Sequence, residues 1–308
     1  MSNAAPLNAK TITDDEYFFG HRACAGCGGS LAVRLAMKVI GENSFVVVPP
    51  NCMSAVSFVN PVMPLTMSGL SGPFPSTGAV LSGIYEAAEA LELKDYYVVG
   101  FAGDGGTGDI GLQALSGAID RNERIIYICY DNEAYMNTGV QESGSSLYGS
   151  RTTTSYRGAK KRGANPGKKN IFEIVAAHNI GYAATASVGY PMDFIRKVEK
   201  AKRHNGTSFI QVMAPCPTGW STDTDVTAEL ARQAVECGLW YLAEYENGSF
   251  TLNRAPKELA PVENYLSGQG RFKQLSEDDF AVVEAQRDAQ WRKIRASWNV
   301  PAGGANKG

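Results

Sequence analysis

Residues 96–110 read YYVVGFAGDGGTGDI, an apolar run followed at once by a glycine-rich turn around Asp104. The run from Tyr96 to Ala102 has no polar alternation, which is typical of a parallel strand covered by helices on both faces. Glycines let backbone N–H groups approach a ligand closely, and a helix that follows directs its positive end at a bound phosphate. This stretch therefore predicts a strand-to-helix turn that binds phosphate groups.

Apolar segments before and after this turn alternate between strand and helix periodicity. The sequence predicts further strands at 45–48, 125–130, 182–186 and 208–213, and helices at 29–40, 79–93, 110–119, 171–178 and 191–204. Such alternation favours an α/β fold in which helices flank a mostly parallel sheet with right-handed crossovers. The order of the strands is not predicted.

Composition excludes several classes of protein. The chain has 308 residues, of which 44% are hydrophobic and 19% charged, as in ordinary globular proteins. Its 29 basic and 31 acidic residues nearly cancel, so no global field favours nucleic acid or an acidic membrane. No apolar run approaches the roughly 20 residues of a membrane span, and residues 1–10 lack the apolar stretch of a secretory signal. We therefore expect a cytoplasmic protein.

Two segments depart from the regular alternation. Residues 143–169 form a long predicted loop that is strongly basic, and such loops are usually functional or mobile. Coenzyme A phosphates, an acidic ferredoxin, a partner subunit and simple solvation all remain open as explanations. A polar tail follows, with a predicted capping start at Ser276 and a final helix. We expect one domain over 1–250 and a tail over 251–308 that packs on this domain or on a partner subunit. The basic residues of the loop are Arg151, Arg157, Lys160, Lys161, Arg162, Lys168 and Lys169.

Oxygen donors follow two successive predicted strands. Asp104 comes directly after the strand at 96–102, and Asn132 follows the strand at 125–130. Carboxylate and amide oxygens are ligands that Mg²⁺ prefers, and a main-chain carbonyl of the turn Glu133–Ala134 could complete the set. Gly103 and the glycines after Asp104 would let a diphosphate approach. A Gly-Asp-Gly turn alone is common, but its pairing with Asn-Glu-Ala-Tyr on the next strand end is a much stronger signal.

Four cysteines are expected at the same edge of the sheet. Cys24 and Cys27 precede the first helix, whereas Cys52 and Cys216 each follow a predicted strand. Four soft thiolates suit a [4Fe-4S] cluster or a tetrahedral Zn²⁺ ion. Their position beside a diphosphate site favours the redox cluster, and a structural zinc site stays open. The other two cysteines, Cys129 and Cys237, are interpreted as core residues.

Four separated motifs carry a resemblance to a known family. They are GHRACAGCG at 20–28, GDGGTGDIG at 103–111, YDNEAYMNTG at 130–139 and CPTGW at 216–220. Together they closely resemble the β subunit of pyruvate:ferredoxin oxidoreductase, within the 2-oxoacid:ferredoxin oxidoreductases. The resemblance runs from about residue 21 to the mid-240s and implies a thiamine-diphosphate-binding fold.

The resemblance implies the following sites. Cys24, Cys27, Cys52 and Cys216 would hold the [4Fe-4S] cluster, both cofactors lying within 1–250. Asp104, Asn132 and the carbonyl of Ala134 would hold Mg²⁺, while Gly105, Gly106 and Asn137 would approach thiamine diphosphate. The glutamate that activates the coenzyme would lie on a partner chain, so this sequence is not expected to hold a complete active site, and its own catalytic residues are left unassigned.

The implied function is decarboxylation of a small 2-oxoacid such as pyruvate, with electrons passed to ferredoxin and, in the family, an acyl group passed to coenzyme A. Partners would be an α subunit and ferredoxin-like γ or δ subunits, because no ferredoxin-type cysteine run occurs here. Residues 68–77, SGLSGPFPST, depart from pyruvate-acting relatives. An oxalate:ferredoxin oxidoreductase without coenzyme A is therefore an alternative. A non-redox thiamine enzyme with structural zinc and an electron-transfer subunit without turnover are two more.

Overall fold

The computed structural model describes residues 12–61, 63–158, 162–164, 167–256 and 258–298. The segment 1–10, in which we expected no secretory signal, lies outside the described residues. So do Lys160 and Lys161 of the basic loop and residues 299–308 of the tail.

Ten strands occur in the described ranges, eight of them in one sheet and two in a small separate hairpin. They are β1 (Ser44–Val47), β2 (Ser68–Leu70), β3 (Tyr97–Gly103), β4 (Ile125–Asp131), β5 (Tyr156–Arg157), β6 (Arg162–Gly163), β7 (Tyr182–Ser187), β8 (Ser208–Met213), β9 (Leu242–Glu246) and β10 (Ser249–Arg254).

Helices cover both faces of the sheet. They are α1 (Gly28–Ile40), α2 (Cys52–Ser57), α3 (Thr77–Ala90), α4 (Asp104–Gly108), α5 (Leu112–Arg121), α6 (Ile171–Ala176), α7 (Pro191–Arg203), α8 (Pro217–Trp220), α9 (Thr227–Glu236), α10 (Glu263–Leu266) and α11 (Glu277–Ser297), with a 3₁₀ helix at Gly270–Phe272.

The eight strands lie in the order β10-β9-β7-β8-β4-β3-β1-β2. Strands β1, β2, β3, β4, β7 and β8 are parallel, whereas β9 runs antiparallel to β7 and β10 antiparallel to β9. The predicted α/β fold with a mostly parallel sheet is thereby confirmed. Parallel register brings the carboxyl ends of β3, β4 and β8 to one edge, which is where ligands bind in open α/β sheets.

The central strands are fully buried because helices cover them on both sides. Every residue of β4, β7 and β8 is buried, including polar residues such as Thr185, Ser208 and Gln211. Two separate clusters of apolar side chains lie on the two faces, one built around α1 and α7 and the other around α3, α5 and α6. The sheet thus forms a rigid platform for the loops at its carboxyl edge.

The helix predicted at 110–119 is shifted in the structure, where α4 and α5 follow β3 as two separate helices. A Cβ atom on Gly111 would lie 1.9 Å from the carbonyl oxygen of Gly106, so the chain turns there through a contact that only glycine permits. The short helix α4 begins at Asp104 itself, which directs its first amides at the space beyond β3.

The tail packs on the chain's own core. Strand β10 extends to Arg254, so the predicted division after residue 250 falls within it. Helix α11 starts with a capping box between Ser276 and Asp279 and buries Val283, Trp291 and Ile294. The indole N–H of Trp291 donates to the carbonyl oxygen of Gly238 at 2.8 Å. Among the described helices, none is both long enough and apolar enough to cross a membrane.

Candidate functional site

The turn after β3 forms a closely packed cradle. Asp104 is 1% exposed at the first position of α4. A Cβ atom on Gly105 would lie 2.5 Å from the ring of Tyr135, and one on Gly106 would lie 3.1 Å from the ring of Phe74. At Gly105 any side chain would collide with the ring of Tyr135, whereas at Gly106 the ring of Phe74 would have to shift slightly. Gly103, Gly105 and Gly106 line a narrow cleft, and their approach to a diphosphate stays a prediction.

Three oxygen-bearing groups converge at this turn. The side-chain amide of Asn132 has one atom 3.2 Å from Asp104 Oδ1 and 3.1 Å from the carbonyl oxygen of Ala134. With its nitrogen inward, the amide donates to both oxygens; with its oxygen inward, the site presents three oxygens to one point. Adjacent ligands of octahedral Mg²⁺, at about 2.1 Å from the ion, are about 3 Å apart. With the amide oxygen inward, both distances match that spacing, and the three predicted ligands are of the chemical type that Mg²⁺ prefers.

Several neighbours hold these groups in place. The hydroxyl of Ser143 donates to Asp104 Oδ2 at 2.5 Å, and the hydroxyl of Ser146 donates to the carbonyl oxygen of Glu133 at 2.7 Å. Glu133 itself has a positive φ of 62°, in the left-handed region that side chains other than glycine rarely adopt. Residues 143–146, at the start of the basic loop, therefore close the site from one side.

Electrostatics at the turn favour a cation. Burial raises the pKa of Asp104 well above its ordinary value, the nearby Asp131 raises it further, and the hydrogen bond from Ser143 opposes them. Burial raises the pKa of Glu133 as well, but Lys168 and Arg271 lower it more, so that carboxyl stays ionised. A bound divalent cation would return Asp104 to its ionised form, since opposite charge favours the charged state.

Lys168 and Lys169 of the basic loop point into the protein. Lys168 Nζ lies 2.6 Å from Glu133 Oε1 and 3.8 Å from Asp131 Oδ2. Lys169 pairs with Asp109 and donates to the carbonyl oxygen of Gly108. The ammonium groups of both lysines therefore pair with carboxylates beside the turn that follows β3.

The four predicted cluster cysteines lie at or beside helix starts. Cys27 caps α1 and its Sγ accepts from Ser30 N at 3.4 Å, while Cys216 caps α8 and its Sγ accepts from Gly219 N at 3.3 Å. Cys52 is the first residue of α2, and the carbonyl oxygen of Cys24 accepts from Cys27 N. Backbone amides directed at sulfur stabilise thiolate charge, so this local geometry suits metal-bound cysteines.

Tertiary packing brings these cysteines close together. The amide of Gly28 donates to the carbonyl oxygen of Pro215 at 3.0 Å, which joins the first pair to the segment of Cys216. The pKa of Cys52 is raised to about 12, mainly by burial and in smaller part by Cys216, Cys27 and Cys24. Burial also raises the pKa of Cys216 to about 11, with contributions from Cys27 and Cys24. Among the described residues, no group of three or more His, Cys, Asp or Glu side chains has an arrangement that could hold a metal ion.

The two predicted sites adjoin. A narrow cleft is lined by Cys52 together with the predicted cofactor residues Gly103, Gly105, Gly106, Asn132, Ala134 and Asn137. Tyr130 lies in the same cleft and its Oη accepts from Met53 N at 3.4 Å. A Cβ atom on Gly29 would lie 3.3 Å from the ring of Tyr130, so this ring separates the start of α1 from the turn. Thiols and oxygen ligands therefore lie on the same rim of the sheet.

Several residues of the site are missed by the sequence analysis. Ser143 lies in a loop without periodicity, and Arg271 lies in a tail that shows no motif. Asn51 stands next to Cys52, where its side chain accepts from Ser54 N and caps α2. The capping pattern Asn-x-x-Ser was the one available signal for Asn51. The two others act through contacts across the fold, which spacing does not reveal.

The sequence of this chain is similar to those of known thiamine enzymes. Residues 52–212 match the family model described as thiamine pyrophosphate enzyme, C-terminal TPP binding domain. The pyruvate synthase subunit PorB of Methanothermobacter thermautotrophicus is 46% identical over 285 residues, which are 92% of this chain and 99% of that protein. The ketoisovalerate oxidoreductase subunit VorB of Pyrococcus horikoshii is 46% identical over 293 residues, 92% of this chain and 94% of that protein.

A solved structure shows the same fold. It is the 2-oxoglutarate:ferredoxin oxidoreductase from Magnetococcus marinus with 2-oxoglutarate, coenzyme A and succinyl-CoA bound. The likeness has a TM-score of 0.54 at 22% identity and covers 70% of this chain and 79% of that one. At this level of identity the comparison supports the thiamine-diphosphate-binding fold that the sequence predicts.

Proposed function

The chain belongs to the family of thiamine pyrophosphate enzymes that includes PorB and VorB, subunits of 2-oxoacid oxidoreductases, and we propose that it serves as such a subunit. In this proposal it binds thiamine diphosphate and Mg²⁺ beyond β3 and β4, and a [4Fe-4S] cluster at Cys24, Cys27, Cys52 and Cys216. With partner subunits it decarboxylates a small 2-oxoacid and passes the electrons to ferredoxin. We expect this complex in the cytoplasm.

One observation carries the proposal. One atom of the Asn132 side-chain amide lies 3.2 Å from Asp104 Oδ1 and 3.1 Å from the carbonyl oxygen of Ala134. Asn132 and Ala134 line the same cleft as Cys52. A diphosphate site and a thiol group on one rim are what a thiamine enzyme with an adjacent electron acceptor requires. Bound thiamine diphosphate supplies the carbanion chemistry that decarboxylates a 2-oxoacid, and an iron–sulfur cluster accepts electrons one at a time.

The chain's own residues position and shield these groups. Asp104, Asn132 and the carbonyl of Ala134 would orient Mg²⁺ and through it the diphosphate, while Gly105 and Gly106 leave room for its oxygens. The rings of Tyr135 and Phe74 line the cleft beside these glycines, close to where a Cβ atom on Gly105 or Gly106 would lie. Such walls exclude water and keep the diphosphate in one orientation.

The thiol side of the cleft fits a cluster by its donor chemistry. Amide hydrogen bonds to the sulfurs of Cys27 and Cys216 are of the kind that tune reduction potential in iron–sulfur proteins. The half-buried positions of Cys27, Cys52 and Cys216 would shelter the cluster, and the exposed Cys24 lies on its outer side. Electrons would leave through subunits that carry further clusters.

The proposed substrate is a small 2-oxoacid of the pyruvate type. PorB and VorB relatives match at nearly equal identity, so pyruvate and the branched 2-oxoisovalerate are the first substrates to compare. Phe74, in the segment 68–77 that departs from pyruvate-acting relatives, lines the cleft. Oxalate belongs in the same comparison, because its turnover would not require coenzyme A.

The test is to purify the native complex without oxygen and to assay its metals, coenzyme and activity. We expect iron and sulfide, bound thiamine diphosphate, and ferredoxin or viologen reduction with at least one of pyruvate, 2-oxoisovalerate, 2-oxobutyrate, 2-oxoglutarate and oxalate. Each acid is tested with and without coenzyme A. A colourless protein with stoichiometric zinc would overturn the redox assignment, and reduction that is indifferent to Asp104→Ala would overturn the thiamine site.

A further inference from the structure

Arg271 belongs to the C-terminal tail, and its buried guanidinium contacts Glu133 in the loop that also carries Asn132 and Ala134. It lies in the 3₁₀ helix Gly270–Phe272 and is 4% exposed. Its sequence position is far from every motif that predicts the cofactor site. Burying a guanidinium is unfavourable unless its charge is paired and its N–H groups are hydrogen-bonded. The contacts of Arg271 therefore indicate its role.

The first contact of Arg271 is with the loop that carries two predicted Mg²⁺ ligands. Arg271 Nη2 lies 2.6 Å from Glu133 Oε2, and its Nε donates to Gln269 Oε1 at 2.8 Å. Glu133 stands between Asn132 and Ala134, and its backbone adopts the left-handed conformation. Because its side chain is held by Arg271 and Lys168, this loop keeps a backbone shape that it would not prefer alone.

The second contact of Arg271 reaches the same loop through Trp220. The guanidinium carbon lies 3.8 Å from the centroid of the Trp220 ring, a close cation–π arrangement. The indole N–H of Trp220 donates to the carbonyl oxygen of Asn132 at 2.9 Å. Trp220 ends α8, the helix capped by Cys216, so the stacked pair also joins the cysteine segment to the loop.

We propose that Arg271 is a positioning residue that sets the Asn132–Ala134 loop for Mg²⁺ and diphosphate. It does so through two arms, the ion pair with Glu133 and the stack on Trp220. This inference rests on the proposed function, since it assumes that the loop binds Mg²⁺ and thiamine diphosphate. Arginine is specific here, because a planar guanidinium pairs in its plane and stacks on its face at once, whereas a lysine does only one.

The experiment measures thiamine diphosphate binding to the full complex after coenzyme removal, at a series of Mg²⁺ concentrations. Arg271→Met keeps the length of the side chain and removes its charge, and Arg271→Lys keeps the charge and removes the planar stack. Trp220→Phe keeps an aromatic ring and removes the N–H to Asn132. Arg232→Met is the matched control, since Arg232 forms an exposed pair with Glu229 away from the site.

For Arg271→Met we expect the Mg²⁺ concentration at half-saturation to rise about 10- to 100-fold, the range typical for residues that support metal ligands. Arg271→Lys should fall between Arg271→Met and the wild type, and Arg232→Met should match the wild type. Trp220→Phe should shift the midpoint in the same direction. Because both arms act on one loop, the shifts of Arg271→Met and Trp220→Phe should combine less than additively.

The thermal midpoint of each complex is measured in parallel. If Arg271→Met lowers that midpoint while its Mg²⁺ dependence equals that of Arg232→Met, the role is structural and the proposal is overturned. If Arg271→Met fails to fold, wild-type Mg²⁺ dependence in both Arg271→Lys and Trp220→Phe overturns it instead. A wild-type complex that binds no thiamine diphosphate would refute the proposed function, which is a separate outcome.

Discussion

Two buried carboxyl groups, Asp104 after β3 and Glu244 in β9, differ in how far their neighbours offset the effect of burial. At the carboxyl end of β3, burial and the neighbouring Asp131 raise the pKa of Asp104. In the antiparallel strand β9, burial also raises the pKa of Glu244, but hydrogen bonds from Lys200, Asn253 and Tyr182 lower it below its ordinary value. Glu244 is thus satisfied by its neighbours, whereas Asp104 forms no salt bridge within the described part of the chain.

This difference in charge compensation indicates that Glu244 is a structural carboxylate, whereas Asp104 is suited to bind a ligand. Glu244 Oε1 lies 2.7 Å from Lys200 Nζ and 2.9 Å from Tyr182 Oη, so its charge is compensated when the chain folds. For Asp104, the hydroxyl of Ser143 donates to Oδ2 at 2.5 Å and the amide of Asn132 lies 3.2 Å from Oδ1, and neither group carries a charge. Strongly raised pKa values in a cleft are typical of functional sites, because the missing charge is supplied by what binds there.

Asp104→Asn should have the largest effect on function. It removes the ionised ligand while keeping its shape, so we expect the affinity for thiamine diphosphate with Mg²⁺ to fall by more than about 100-fold, beyond the loss typical of residues behind a ligand. The thermal midpoint without cofactors should not fall, because a buried and uncompensated acid is removed. Calorimetric titration and thermal melting test both parts, and wild-type affinity would contradict the assignment of Asp104.

Cys216→Ser should have the next largest effect, confined to the thiol side of the cleft. We expect the variant complex to lose most of the roughly four irons that the proposed cluster would contain, because a cluster of this type needs all four thiolates. Cys237→Ser is the control, since Cys237 is buried beside Ala234 and away from the cleft. Iron and sulfide analysis after anaerobic purification tests whether Cys216 is a cluster ligand. Equal iron contents in both variants would exclude it as a ligand.

Ser143→Ala should weaken binding more modestly. The hydroxyl of Ser143 donates to Asp104, and loss of a hydrogen bond to a charged group corresponds to an affinity loss of about tenfold or somewhat more. Ser145→Ala is a closely matched control, because the buried Ser145 hydroxyl has no hydrogen-bond partner among the described residues. Titration of thiamine diphosphate should separate the two; identical affinities would show that Ser143 does not support Asp104.

Glu244→Gln should have the smallest effect, and on stability alone. A carboxyl whose folded pKa is lowered stabilises the fold above its unfolded value of about 4.5 and loses that contribution as the pH falls through the folded pKa. We expect a loss of about 1 kcal/mol at pH 7, allowing for the half-exposed Lys200. Thermal midpoints of wild type and variant should converge as the pH falls below the folded pKa of Glu244, and a constant difference would contradict this account.

The strands of the core are well predicted from sequence because burial on both faces leaves an unambiguous apolar run. The strand predicted at 208–213 coincides with β8, and that at 125–130 stops one residue short of β4. The edges are less well predicted. The exposed strand β2 has only three residues and no apolar pattern. The β9–β10 hairpin is not predicted, although Ser249 to Leu252 alternate between exposed and half-buried side chains.

The candidate residues of the cleft were predictable because function restricts residue type at the strand ends. Gly103, Asp104, Asn132 and Cys52 each follow a strand, and parallel pairing carries three of these strand ends to one rim. The residues that support them were not predictable. Ser143 and Arg271 touch the site by way of a loop and a tail whose paths depend on the whole fold.

Sequence alone determined the layered α/β architecture, the phosphate-binding turn and the family, because each depends on residue types at short and regular spacing. Tertiary structure alone decided the strand order, the meeting of the amide of Asn132 with Asp104, and the burial of Arg271 beneath Glu133 and Trp220. The physical reason is range. Propensity and periodicity act between neighbours in the chain, whereas charge compensation and close packing act between groups that only the completed fold brings together.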